Sequence, residues 1–326
     1  MVPRPSCLPL VGSIPPAADG SAVRELSGIQ TLHQCRGDSD LLADSLANVE
    51  SHSDWAVVLP APPLRPYVEQ YVGYRMTGMA PGLHRGLPSR HLTFIVSVGP
   101  AIDVTTQTDP AQAPDSYRCV VSGLQGRPAI ISYGAHQEGV VIELSPLGAR
   151  ILLGAPARAL WDASLECADV VGGRGWELWE RLQGVADWPS RFAVCDDVLT
   201  RWAIPDVRVP DELSFAWRTL VRSGGTATIS DLAAEVGWSR QHLARRFGDE
   251  FGLGPKLAAR IVRFQRATTM LHSTPSFTTI AQVAASCGYF DQAHLNRDFA
   301  ELAGCSPSQL LTEDVPNVQD SLVDGV

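Results

Sequence analysis

Lysine is nearly missing from this chain: of 26 basic residues among 326, only Lys256 is not arginine. The glycine-rich run Gly172-Gly173-Arg174-Gly175 therefore offers no lysine, and no strand precedes it, which excludes a phosphate loop. Paired cysteines are missing too. Cys7, Cys35, Cys119, Cys167, Cys195, Cys287 and Cys305 are odd in number, scattered, and form no Cys-x-x-Cys. They read as reduced thiols, not a disulfide frame or a zinc site. No apolar run approaches the ~20 residues of a membrane helix. Val2 to Leu10 holds one arginine and a short apolar patch broken by proline, a poor secretory signal. A cytoplasmic location is the expectation. Ser145 lies in Leu-Ser-Pro-Leu-Gly, not in a G-x-S-x-G elbow. No His-x-His pair falls on a strand, so His84, His91, His136, Glu138 and Glu143 would have to assemble from afar to hold a metal. No catalytic residue, metal or cofactor is expected, and the chain does not read as an enzyme.

What is present is a repeat. His242-Leu243-Ala244-Arg245-Arg246-Phe247 returns as His294-Leu295-Asn296-Arg297-Asp298-Phe299, 52 residues later. Upstream, Ile229, Leu232, Ala233 and Val236 keep the i, i+3, i+4, i+7 spacing of one helix face, as do Ile280, Val283, Ala284 and Cys287. Gly237 and Gly288 follow these stripes, and Ser239 and Asp291 stand as helix caps. Gly252/Pro255 recurs as Gly304/Pro307. The offset is 51 before the turn and 52 after it, so the second turn is one residue longer. Repetition over this length means one supersecondary unit used twice.

Each copy is an amphipathic helix of about eight residues, a glycine turn, and a second helix opening on a cap, which describes a helix-turn-helix. Leu243/Phe247 and Leu295/Phe299 are four apart and share a buried face. Arg240, Gln241, Ala244 and Arg245 then point outward, as do Gln292, Ala293, Asn296 and Arg297. Arginine and glutamine grip guanine and adenine edges bidentately. Amphipathic hairpins with exposed arginine are common in ordinary bundles. A packing repeat, however, has no reason to repeat Arg245 as Arg297. His242 and His294 adjoin the buried leucines, where packing and phosphate contact are both open.

Between the copies, Pro255 to His272 has proline at its first position and no internal glycine, which predicts one continuous helix. At ~1.5 Å per residue it spans roughly 27 Å, against about 34 Å between successive major-groove faces. A connector of this length sets two recognition helices into adjacent turns of one duplex face without a dimer, with some DNA bending.

The segment from Thr226 to Leu311 resembles the DNA-binding domain of AraC/XylS-type transcriptional regulators. The resemblance is carried by Ile280 to Phe299, with its Gly-Tyr and His-Leu-x-Arg-x-Phe, closing on Gly304-Cys305-Ser306-Pro307. It implies about seven helices and two helix-turn-helix units, with base contacts at Gln241, Ala244, Arg245, Gln292, Ala293 and Arg297. Ala244 and Ala293 are too short to hydrogen-bond and offer a methyl contact with thymine. Leu87 to Phe94 and Glu143 to Arg150 are similar, more weakly, to the amino-terminal domain of actinobacterial AraC-type regulators.

Net charge is −9, yet residues 226–312 hold eight basic against seven acidic residues, and the acidic excess lies outside the repeat. Such weak basicity predicts modest salt dependence. Residues 1–54, rich in Ser, Gly, Pro and Asp, read as a flexible extension. Strands are expected at 92–99, 117–123, 129–132 and 139–144. Helices are expected near 146–153, 174–183, 189–202 and 211–223. Six of eight tryptophans (161, 176, 179, 188, 202, 217) fall in this later part, as a core or as an apolar ligand or dimer face.

The expected architecture is an α+β sensor or dimerisation domain at 55–205, an antiparallel sheet or small barrel with helices. An all-α double helix-turn-helix domain follows at 211–312, then an acidic tail at 313–326. The expected function is sequence-specific transcription regulation, with Ser239, Arg240, Gln241, Ala244, Arg245, Gln292, Ala293, His294, Asn296 and Arg297 at double-stranded DNA. RNA polymerase, a small-molecule effector and a second copy of the chain are further candidate partners. The alternative is a DNA-repair methyl-acceptor protein with an AraC-like domain, which needs an activated cysteine and a four-cysteine zinc cluster.

Overall fold

The computed structural model describes residues 52–205, 207–273 and 279–313 and, as backbone, 24–28. Its first part contains strands β1 (Arg24–Gly28), β2 (His52–Val58), β3 (Val68–Thr77), β4 (Gly82–Gly86), β5 (Thr93–Ser97) and β6 (Ile102–Thr106), then β7 (Asp115–Tyr117), β8 (Cys119–Ser122), β9 (Ala129–Tyr133), β10 (His136–Leu144) and β11 (Ser164–Glu166). Every described pairing is antiparallel. A seven-stranded sheet runs β1-β2-β3-β10-β5-β8-β11 and a four-stranded sheet runs β4-β9-β6-β7.

Helices α1 (Cys167–Val171), α2 (Gly173–Gln183) and α3 (Trp188–Trp202) complete this part. Asp187 caps α3 by accepting the Ser190 amide at 2.9 Å. The tryptophans at its two ends are buried against the large sheet. Trp202 stacks on Phe94 at 6.2 Å, and Phe192 stacks on Tyr71 at 6.0 Å. Trp188 donates its indole N–H to Asp54 at 3.0 Å, which answers the polar end of a ring that burial would otherwise strand.

Three sequence expectations need correction. Residues 1–54 are not uniformly an extension, because β1 pairs with β2 as an edge strand. Edge pairing uses backbone groups and demands no apolar period. The strand expected at 117–123 is two strands in different sheets. The chain changes sheet at Arg118, where Glu166 accepts the amides of Arg118 and Cys119 at 2.9 Å each. The helix expected at 146–153 is a 3₁₀ turn, Pro146–Gly148, running into a wide turn, Ala149–Leu153. Ser145 accepts the Leu147 amide there, a local bond that competes with α-helical pairing. Of the acidic tail only Glu313 is described, and it bonds Arg85 at 2.7 Å. Residues 314–326, Cys7 and Cys35 lie outside the described residues.

The described residues of the second part form seven helices: α4 (Asp211–Arg222), α5 (Ile229–Glu235), α6 (Arg240–Phe251), α7 (Pro255–Ser273), α8 (Ile280–Ser286), α9 (Gln292–Leu302) and α10 (Pro307–Leu310). Apolar contact is continuous between the two parts. Arg150 grips the buried Glu250 of α6 through two bonds of 2.7 and 2.8 Å. Arg158 reaches Asp249 at 3.2 Å, Arg85 donates to the Ala303 carbonyl at 3.1 Å, and the Arg90 amide donates to Gln265 at 2.9 Å. The sheet domain thus holds α6, α7 and the end of α9 together.

Candidate nucleic-acid interface

The two hairpins are built on the same plan. Thr228 caps α5 by accepting the Asp231 amide, and Thr279 caps α8 in a full capping box with Gln282. The turns close identically. Gly237 and Trp238 donate their amides to Ala234 and Ala233 at 3.1 and 2.8 Å, and Gly288 and Tyr289 donate to Ala285 and Ala284 at 3.2 and 2.9 Å. Both glycines sit at φ near +70°, a backbone that side-chain-bearing residues resist. Next, Ser239 accepts the His242 amide at 3.2 Å and Asp291 accepts the His294 amide at 2.6 Å. The second helix of each unit starts from these caps.

Leu243, Phe247, Leu295 and Phe299 are fully buried. That burial fixes the opposite face. Ser239, Arg240, Gln241, Ala244 and Arg245 are exposed on α6, and Asp291, Gln292, Ala293, Asn296 and Arg297 on α9. Arg297 folds its Nε back onto the Ala293 carbonyl at 3.2 Å; its terminal nitrogens make no hydrogen bond among the described residues. The histidines behave differently from the other site residues. His242 is half-buried edge-on to Trp238 at 4.7 Å, and His294 edge-on to Tyr289 at 5.2 Å.

α7 runs unbroken for 19 residues, roughly 28 Å at the helical rise. It is more than a spacer. Phe264 packs on Phe299 at 4.8 Å, Arg260 donates to the buried Asp298 at 3.0 Å, and Arg263 donates to the Gly288 carbonyl at 3.3 Å. The Arg263 guanidinium also lies over the Tyr289 ring at 4.9 Å. On the other side Trp217 of α4 packs on Phe247 and Phe251 at 6.0 and 5.1 Å. Arg260, Arg263 and Asp298 were not singled out in the sequence. The available signal was a sign reversal within the repeat, since Asp298 replaces Arg246.

None of the five described thiols is exposed, as a methyl acceptor would have to be. Cys119, Cys167, Cys195, Cys287 and Cys305 are all buried and free. Burial pushes Cys119, Cys195, Cys287 and Cys305 upward, away from the thiolate an acceptor needs.

The five residues weighed as metal ligands form no single cluster: His136 Nε2 lies 3.7 Å from Glu138, His91 lies 3.8 Å from Glu143, and His84 stands apart. Burial holds His84 down at about 4, and its ring lies against Tyr133. Glu138 is clamped between Arg75 at 2.7 Å and Arg191 at 2.5 Å. His91 and Glu143 do meet, with Glu69 as third member, their donor atoms within 4.8 Å of one another. Glu69 is already occupied: Arg90 meets both of its oxygens and His91 Nε2 lies 2.7 Å from one. Burial would raise the Glu69 carboxyl, but these neighbours hold it at about 2. A divalent ion would have to displace Arg90 to use it.

Residues 232–313 match the family model described as a helix-turn-helix domain. Over 88 residues the chain is 33% identical to the HTH-type transcriptional regulator Rv1931c of Mycobacterium tuberculosis, covering 27% of this chain and 33% of that protein. Over 85 residues it is 31% identical to the HTH-type transcriptional regulator MtrA of Neisseria gonorrhoeae, covering 26% and 28%. The chain thus spans about a third of the length of these curated relatives. Among solved structures, a probable AraC family transcriptional regulator from Rhodopseudomonas palustris is 27% identical, covering 33% of this chain and 100% of that one, at TM-score 0.30.

Proposed function

We propose that the C-terminal region is an AraC-type helix-turn-helix DNA-binding domain whose helices α6 and α9 enter successive major grooves of one duplex. The observation that carries this reading is the pair of exposed polar faces at equivalent positions of two hairpins joined by one unbroken helix. Arg245 and Arg297 would read guanine edges, Gln241 and Gln292 adenine edges, and Ala244 and Ala293 thymine methyls. Arg240 and Asn296 flank these positions at the groove. The helix starts at Ser239 and Asp291 would bring backbone amides near phosphates, less favourably at the carboxylate. His294 supports the second unit from within, against Tyr289. Selection of bound DNA from genomic fragments tests the reading: two short base clusters about 10 bp apart support it. A single cluster, or no enriched sequence, refutes it.

The sheet domain is the controlling module in this proposal. Between it and α4 lies a cleft of about 790 Å³ lined by Arg65, Arg90, Arg218, Arg222, Phe215 and Trp217, among others. Arg65, Arg218 and Arg222 form no ion pair among the described residues and, beside the aromatic rings, suit an anionic effector with an apolar body. Arg90 is held by Glu69, and Asp211 also lines the cleft. A thermal-shift screen should raise the melting temperature with such compounds and leave it unmoved with neutral polar ones. Dimerisation through the sheet domain and contact with RNA polymerase complete the proposal. Sedimentation analysis with and without operator DNA tests the first, and transcription with purified polymerase the second.

A further inference from the structure

We propose that Phe290, a residue with no counterpart in the first unit, makes an apolar contact with a thymine methyl group at the rim of the second major groove. The inference rests on the DNA-facing reading of α9. It begins with the single-residue insertion that separates the two copies. The turn chemistry identifies the inserted residue. Trp238 and Tyr289 close their turns with equivalent amide bonds and lie edge-on to His242 and His294. Ser239 and Asp291 cap the next helices. Only Phe290 is left over, between Tyr289 and Asp291.

Phe290 is 92% exposed, the most exposed large apolar residue among those described. It is not on a loose loop. Its own amide approaches His294 Nδ1 at 3.4 Å, and Asp291 accepts the His294 amide. Just before it, Arg263 bonds the Gly288 carbonyl and covers the Tyr289 ring. Both neighbours of Phe290 are therefore tied to α7 and α9, and the ring is held out in water from a braced turn. An exposed phenyl gains nothing from solvent; covering it releases ordered water and favours whatever surface covers it.

The surface on offer is set by its neighbours. Phe290 adjoins the start of α9, beside Gln292 and Ala293, on the end of the helix that enters the groove in helix-turn-helix docking. Among the described residues the other exposed large hydrophobic of the second unit is Leu311, beyond α10. A lone ring within a polar reading face lacks the contiguous apolar area of a protein-docking patch. It does fit the apolar groups a major groove presents, and the thymine C5-methyl is the one that distinguishes bases.

The test uses the full chain and a site obtained by selection. Phe290→Ala should weaken binding about tenfold, the effect of uncovering part of a phenyl ring, while the slope of log affinity against log salt stays unchanged, since no phosphate charge is lost. Phe290→Leu should recover most of the affinity. Replacing thymines by deoxyuridine one at a time should cost the parent about threefold at one position, and that penalty should vanish in Phe290→Ala. Equal affinity of Phe290→Ala and the parent overturns the proposal. So does a weaker Phe290→Ala that keeps every deoxyuridine penalty, because the ring then touches no methyl. If Arg297→Ala also binds like the parent, the failure lies with the reading of α9 itself.

Discussion

The first helix-turn-helix unit and the second share a backbone but not a surface. The first is capped by Ser239 and carries Arg240, Arg245 and Arg246 on α6. The second is capped by Asp291 and carries one exposed arginine, Arg297, with Phe290 projecting from its turn. Where the first has Arg246, the second buries Asp298 against Arg260 of the linker helix. The outer supports differ as well. The buried acid of α6, Glu250, pairs with Arg150 of the sheet domain, whereas that of α9, Asp298, pairs with Arg260 of α7, and the sheet domain reaches only the end of α9. Duplication preserves what packing needs, and the side chains facing water are free to diverge. Arginines are thereby more numerous on the second helix of the first unit, and the second unit presents more polar and apolar side chains.

The largest expected effect tests whether the two units stand alone. Leu243→Asp and Leu295→Asp each place a charge without a partner at a fully buried site, a cost on the order of 4–5 kcal/mol. Each should abolish contact with its own base cluster in footprinting, and loss of both clusters from either substitution would refute independent units. Next come the supports. Arg150→Ala strands the buried Glu250, and Arg260→Ala strands the buried Asp298. Each should cost about 3 kcal/mol in urea unfolding, with Arg150→Ala alone opening the domain boundary to protease. Third, Arg245→Ala and Arg297→Ala should each lose about 1–3 kcal/mol of binding and relax one base position. Removing Arg240 and Arg246 should lower the salt slope by about 2 if both meet phosphates; an unchanged slope would contradict the charge asymmetry.

The smallest effect concerns the sheet domain that supports α6. Glu69 has its carboxyl held at about 2 against an ordinary value of 4.5. A depressed carboxyl lends stability above its unfolded value, and that stability is lost as pH falls from about 4.5 toward 2. The melting temperature should therefore drop along this acid limb, and Glu69→Gln should flatten the drop. A parallel decline in both proteins would show that Arg90 and His91 do not stabilise the ionised form.

The helical half was legible because its signals are local. Stripe, turn glycine, cap and buried leucine recur in order, and α5 to α9 fall within a residue or two of the expected limits. The sheet half was read incompletely. β3 went unseen because Tyr71-Val72-Gly73-Tyr74 is buried on both faces, which erases the alternation that marks a half-exposed strand. β4, β6 and β11 are short or pair at edges, where backbone bonds carry the structure and composition says little. Glu69 escaped notice as a partner of His91 and Glu143 because three separate segments bring them together.

Sequence alone determined that one hairpin is used twice, which residues lie within it, and which face outward, because helix periodicity and capping act over four residues. It also recorded the one-residue insertion. Only the tertiary structure decided that Phe290 is the extra residue, that Asp298 turns inward, and that Arg150 reaches Glu250 across 100 positions of chain. Those outcomes depend on which distant side chains supply a partner, and no local pattern encodes the partner's position.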